Sequence, residues 1–395
     1  STLLADNELW PDFILEVDPA TDEVIWEWHT WDHIIQDHDD SKANYGVVGD
    51  YPGRIDLNWD TSDGVADWMH SNAIDFDPIN DQVIMSVPTF HEVWIIDHST
   101  TTAEAASNSG GNSHRGGELM YRWGNPAVYR AGTAEDQTLF YQHDIHWIYD
   151  FLDFTHPYYG RLAVFNNQVG EDYSTANIFS PVFDMYEWEY PMDGGIWGPA
   201  DYDLTLAHPT PTAMYSTGLS SLQCLPNGNF LIMSGRQGYA FELTPENEIV
   251  WEYVTPLIGG VPVDQGEVPG LNQNLTFRIK RYPADYSAFE GRDLTPQGWL
   301  ETAPDTDFCN LILPTSELTS DYRLQIYPNP VRDRLTIEWD GSVYVDLNIT
   351  DLLGRTVWAG RVTGGRKYLS TEGWEPGLYI VQVNGVSVRK LVVSR

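Results

Sequence analysis

At 395 residues the chain has room for two or more domains and a large core. Its 21 Lys+Arg against 58 Asp+Glu, a formal net charge of −37, argue against binding to nucleic acid or an anionic membrane, and its 16 Trp and 22 Tyr argue against a disordered acidic tail. No run of 18 apolar residues is present, so no membrane-spanning helix is expected, and no charged and then apolar leader opens at Ser1, so no signal peptide is expected there.

Hairpin patterns recur along the chain. "FILEVDPATDEVIWEW" (13–28) predicts a strand, a tight turn and a second strand, and "YAFELTPENEIVWEY" (239–253) repeats it. Residues 92–124 show the same hairpin with a long inserted loop. "NAIDFDPINDQVIMSV" (72–87) and "SSLQCLPNGNFLIMSG" (220–235) form a second type, the latter turning at Asn227-Gly228. The second type precedes the first at 72–124 and again at 220–253. Such repeated four-stranded antiparallel units predict an all-β protein built as a β-propeller, expected with six blades. The first hairpin has no partner before it, so either a C-terminal segment closes its blade or upstream blades are missing, the latter being favoured.

A break in composition falls near residue 322. Residues 323–395 hold 10 basic and 7 acidic residues, leaving 11 basic and 51 acidic residues before them. The predicted domains are therefore a propeller over 1–312, a polar linker over 313–322, and a small Ig-like β-sandwich over 323–395. In the last of these, Asn384-Gly385 signals a hairpin.

Two resemblances follow from specific segments. "YPNPVRDRLTI", "ITDLLGRTVWAG", "GLYIVQV" and the terminal "RKLVVSR" resemble the C-terminal sorting domain of the type IX secretion system. This implies export to the medium or the cell surface, with the secretion machinery as a partner of residues 323–395. "DWMHSNAIDFDPINDQVIMSVPTFHEVWIID", "YRWGNP", "QHDIHWIYD", "GRLAVFNN", "LPNGNFLIMSGRQGYAFELTPENEIVWEY" and "GRDLTP" resemble the arylsulfotransferase-like propellers. That resemblance implies movement of a sulfuryl group between phenols through a covalent sulfohistidine, without a nucleotide donor.

His70 and His143 match two family histidines of the central funnel, and Gln142, Asn166 and Asn167 are expected to bind substrate. His146 lies three residues from His143. On a regular strand the two would face opposite ways, so His146 is expected to pack unless the backbone bulges. Two family features are missing. No Arg follows the "FNN" strand, where Glu171 and Asp172 stand instead, and no imidazole precedes the "LPNGN" strand. His208 and Arg236 are the candidate substitutes.

The family chemistry requires no cofactor. Ca²⁺ remains open for the acidic turns at 18–23 and 77–82, and His33, Asp37 and Asp39 are of ligand type. In an exported chain Cys224 and Cys309 can pair or remain thiols. Two functions stay open. One is an aryl-sulfate sulfotransferase acting on a small aromatic sulfate. The other is a catalytically inactive surface propeller that binds a glycan or protein, for adhesion or assembly.

Overall fold

The computed structural model describes residues 8–59, 65–304, 325–339, 345–351, 355–383 and 387–394. Strands dominate, and the one α-helix among the described residues is the four-residue Thr102–Ala105, capped reciprocally by Thr101 and Glu104. The chain divides into two compact units, Ser1–Pro304 and Asp305–Arg395.

In the first unit β1 (Phe13–Val17) and β2 (Val24–His29) pair as a two-stranded sheet. Three four-stranded antiparallel sheets follow. The first runs β3 (Ala73–Asp77), β4 (Gln82–Val87), β5 (Glu92–Asp97), β6 (Tyr121–Trp123). The second runs β7 (His143–Trp147), β8 (Leu162–Asn166), β9 (Thr175–Phe179), β10 (Leu204–Leu206). The third runs β11 (Ser221–Cys224), β12 (Phe230–Ser234), β13 (Tyr239–Leu243), β14 (Ile249–Val254). Each is an up-and-down blade, so the unit is a β-propeller-like, all-β fold. The described residues hold three complete blades against the six expected. Between Thr255 and Pro304 the described residues pair only as one two-residue hairpin and an isolated bridge between Asp264 and Thr302, so no further four-stranded sheet forms there.

The blades stack because their inner strands lie side by side and exchange hydrogen bonds. Asp75 on β3 accepts from the Trp147 backbone N–H on β7 at 2.8 Å. Asp144 on β7 accepts from the Leu222 N–H on β11 at 3.0 Å. Gln223 on β11 both accepts from and donates to the backbone of Arg281. That last pair ties the segment 277–281 along β11, where the Ser220 N–H also donates to the Phe277 carbonyl. Between the blades the faces are apolar: Ala163, Phe165 and Ile178 meet Leu222, Phe230 and Ile232 in one buried cluster. The Asn227-Gly228 turn forms, with Gly228 at φ 86° and the Asn229 N–H donating to Asn227 Oδ1.

The acidic turns use their carboxylates locally. Asp18 accepts from Ala20 N–H, and Asp77 from Ile79 N–H and the Asn80 amide. His33 donates to the Ala105 carbonyl and stacks on Trp28, while Asp39 caps Ser41.

The second unit is a sandwich. Gln325–Tyr327, Arg334–Glu338 and Arg366–Ser370 form a three-stranded sheet; Thr356–Val362, Val345–Asp351, Gly377–Val383 and Ser387–Val393 form a four-stranded one. Its core alternates along the strands, as in Val345, Leu347 and Ile349. The Asn384-Gly385 turn lies outside the described residues.

Candidate functional site

Each inner strand is preceded by a non-glycine residue at positive φ: His70 (52°), Tyr141 (51°), and Leu219 with Ser220 (62° and 90°). Such backbone is costly for side-chain-bearing residues and concentrates at functional sites. The three turns fall at the same end of their blades, and the site residues gather there.

His143 opens β7 and is buried, 8% exposed. Its Nδ1 lies 2.9 Å from Asn167 Oδ1 and 3.1 Å from the Tyr141 carbonyl. The Asn167 amide nitrogen donates to the carbonyls of Ser216 and Leu219, both at 3.0 Å, so Oδ1 is the acceptor and His143 Nδ1 carries the hydrogen. The lone pair of the neutral ring is therefore on Nε2. Burial lowers the His143 pKa to about 4, against the opposing hydrogen bonds to Asn167 and Tyr141 and helped by the charges of His70 and Arg236.

Arg236 comes from the turn after β12. No carboxylate among the described residues pairs with it, its buried Nε has no hydrogen-bond partner, and its Nη1 reaches Asn272 only at 3.5 Å. Gly218 explains how the two side chains approach. A Cβ there would sit 3.2 Å from Arg236 Nη2 and 3.6 Å from His143 Cε1, so the missing side chain keeps the space between them open. Phe277 adds an aromatic wall, its ring edge-on to His143 at 6.4 Å. His70 precedes β3 by three residues rather than beginning it, is exposed, and holds Asp67 at 2.5 Å.

Other expected site residues sit elsewhere. Gln142 is fully buried and donates to Ser86 and the Glu92 carbonyl, bracing the neighbouring blade. Asn166 is used by Thr138, Phe140 and Tyr202. His208 packs against Tyr239 and Phe241 beside a separate cavity that also holds Glu252. His143 and His146 lie across a bulge: they pair with Phe165 and Ala163, two residues of one face, and Asp144 takes φ 59° between them. The two imidazoles thus share a face, contrary to the regular-strand expectation, yet make separate contacts. Cys224 is a buried thiol raised to about 12 by desolvation; Cys309 lies outside the described residues. No group of three or more His, Cys, Asp or Glu among the described residues is arranged to hold a metal. None of their helices is long and apolar enough to cross a membrane.

Sequence reasoning missed Gly218 and Phe277 as site-forming, and also His91. His91 Nδ1 accepts from the Tyr141 N–H, and burial lowers its pKa to about 4. The signal available for the last was a histidine in the "FHEVWIID" turn. No sequence signal marks a glycine as the floor of a site.

Fold and site together define a propeller-like protein in which a neutral imidazole and an unpaired guanidinium both border Gly218. Residues 5–186 match the family "Arylsulfotransferase (ASST)" and residues 325–394 the "Secretion system C-terminal sorting domain". Residues 5–186 are thus similar to the arylsulfotransferases, and residues 325–394 form a type IX secretion sorting domain that marks the protein for export to the cell surface or the medium. No curated protein matches it. Among solved structures, latent dimeric PorU of Porphyromonas gingivalis is 21% identical over 18% of this chain, with a TM-score of 0.16. PorZ of the same organism, a surface component of the type IX secretion system, is 12% identical over 82% of the chain, TM-score 0.19. Streptogramin B lyase is 10% identical over 82% of this chain and 83% of its own, TM-score 0.27. The chain spans 9% of the length of PorU and 45% of that of PorZ. At these scores the propeller-like character rests on the sheets themselves.

Proposed function

We propose that the propeller transfers sulfuryl groups between phenols through His143. The observation that carries this reading is the Asn167–His143 pair, which leaves Nε2 unprotonated, with the His143 ring and the unpaired Arg236 both bordering the space left by Gly218. Nε2 attacks the sulfur of an aryl sulfate; the S–O bond to the ring oxygen breaks and the electron pair leaves with the phenolate. Arg236 binds the sulfonate oxygens, where negative charge is retained through the step. His70, held by Asp67, hands a proton to the phenolate and takes one from the acceptor phenol, whose oxygen then breaks the N–S bond. Phe277 offers an aromatic surface for the ring. No cofactor enters this scheme.

The test is release of 4-nitrophenol from its sulfate ester in the presence and absence of phenol. Acceptor-dependent release, loss of at least about 10²-fold in His143→Ala, and a sulfuryl adduct on the peptide holding His143 are expected. Release without an acceptor, or an unaffected His143→Ala, refutes the scheme. A second reading, a non-catalytic surface propeller that binds a glycan or protein, draws on Gln142 and Asn166, whose polar groups brace blades rather than face a substrate.

A further inference from the structure

His91 takes no part in the sulfuryl-transfer steps, yet it is tied to His143 through a single residue of backbone. It stands at φ 57° in the turn between β4 and β5. That turn is firmly held. The His91 N–H donates to the Pro88 carbonyl at 3.0 Å, and Phe90 beside it is fully buried and edge-on to Trp68 and Trp94. The His91 carbonyl packs against Gly124, where a Cβ would sit only 2.3 Å away. From this base the ring reaches to the next blade. It lies edge-on to Tyr141 at 4.7 Å and tilted against Phe140 at 6.4 Å, and its Nδ1 accepts from the Tyr141 N–H at 3.2 Å. An accepting Nδ1 leaves the ring hydrogen on Nε2, and the lowered pKa keeps the ring neutral at neutral pH.

The two backbone polar groups of Tyr141 connect the histidines. Its N–H meets His91 and no other acceptor among the described residues, while its carbonyl accepts from His143 Nδ1 at 3.1 Å. Tyr141 is at φ 51°, a conformation that persists only where the surroundings hold it. The neighbouring peptide groups have their own partners. Asn166 Oδ1 takes the Phe140 N–H, the Gln168 N–H takes the Phe140 carbonyl, and the Asn72 amide takes the Gln142 carbonyl. None of these holds the Tyr141 N–H. Relaxation of Tyr141 toward negative φ would swing its carbonyl away from His143, leaving Asn167 as the one acceptor that aims the ring.

We propose that His91 is a positioning residue: by accepting from the Tyr141 N–H it fixes the left-handed backbone whose carbonyl, together with Asn167, aims the His143 ring. The consequence for turnover rests on the sulfuryl-transfer reading; the consequence for the His143 ring does not. The test sets His91→Asn, which keeps an acceptor near Nδ1 and tolerates positive φ, against His91→Phe, which keeps a ring beside Tyr141 and has no acceptor. In the full chain labelled with ¹⁵N-histidine, the His143 Nδ1–H signal is assigned by its loss in His143→Gln. It is expected at pH 7 in the wild type and in His91→Asn, and is expected to be lost by exchange with water in His91→Phe. The kcat for acceptor-dependent release of 4-nitrophenol should fall about tenfold in His91→Phe at unchanged KM, and less than about threefold in His91→Asn. His91→Ala, which also lacks the acceptor, replaces the phenylalanine variant if that does not fold. The proposal is overturned if the wild type shows no such ring signal or if folded His91→Phe keeps it. It is also overturned if His91→Asn loses the signal as His91→Phe does, which would assign the effect to ring packing. An active wild type sharing one kcat with His91→Phe overturns it too. A wild type that turns over no aryl sulfate, with the differences in ring signal intact, refutes the transfer scheme alone and supports His91 as the residue that positions His143.

Discussion

The unprotonated state of His143 can be tested without any turnover, by the pH dependence of stability. Burial holds its pKa at about 4 in the folded protein, against 6.5 for the unperturbed side chain. The folded value lies below the unfolded one. Between about pH 4 and 6.5 the unfolded chain therefore binds more protons, and lowering the pH favours unfolding. The full stability is present above about pH 6.5 and is lost as the pH falls toward 4. The difference corresponds to about 3 kcal/mol for this one ring at the lower end. His143→Gln keeps a polar side chain there but removes the titration. Denaturant unfolding of both proteins at pH 7, 6, 5 and 4 measures the difference, and the sorting unit, common to both, cancels. The wild type is expected to lose about 3 kcal/mol more than the variant between pH 7 and 4. Parallel stability curves would mean that His143 titrates normally, and the argument for a neutral nucleophile would fail with it.

Asn167→Ala removes the acceptor that orients His143 and is expected to lower sulfuryl transfer about 10- to 100-fold, mainly in kcat, the usual effect of losing a partner that orients a reacting imidazole; an unchanged kcat would assign orientation to the Tyr141 carbonyl. Glu92 and Arg122 form a fully buried ion pair, closed by Trp94 and the carbonyls of Pro52 and Arg54. Glu92→Gln strands the guanidinium and should cost about 3–5 kcal/mol in denaturant unfolding, whereas a loss below about 1 kcal/mol would show that water reaches the pair. Cys224, raised to about 12, should resist iodoacetamide at about pH 8 in the folded protein and react after unfolding; rapid native alkylation would contradict its burial.

The hairpins are legible in the sequence because their chemistry is local. The Asn227-Gly228 turn and the alternation of β12 and β13 are set by neighbouring residues, so the blades can be read one at a time. The sorting domain is legible for the same reason, since its core residues alternate along single strands. The number of blades is not legible, because a blade forms only where the next four stretches pair, and the described residues 255–304 form only a two-residue hairpin and an isolated bridge. The site divides in the same way. His143 is evident as a chemical residue in "YQHDIHW", but its partner Asn167 is 24 positions away and Arg236 comes from the next blade. His208, equally plausible in sequence, lies instead against Tyr239. The bulge at Asp144 turns His146 to the face of His143, and a positive φ at an aspartate leaves no mark in a period-two pattern. Sequence by itself thus determined the strands, the export domain and the residue types able to do chemistry. Which of them meet was decided by tertiary packing, because convergence depends on the stagger of whole blades and on the space left by a residue as bare as Gly218.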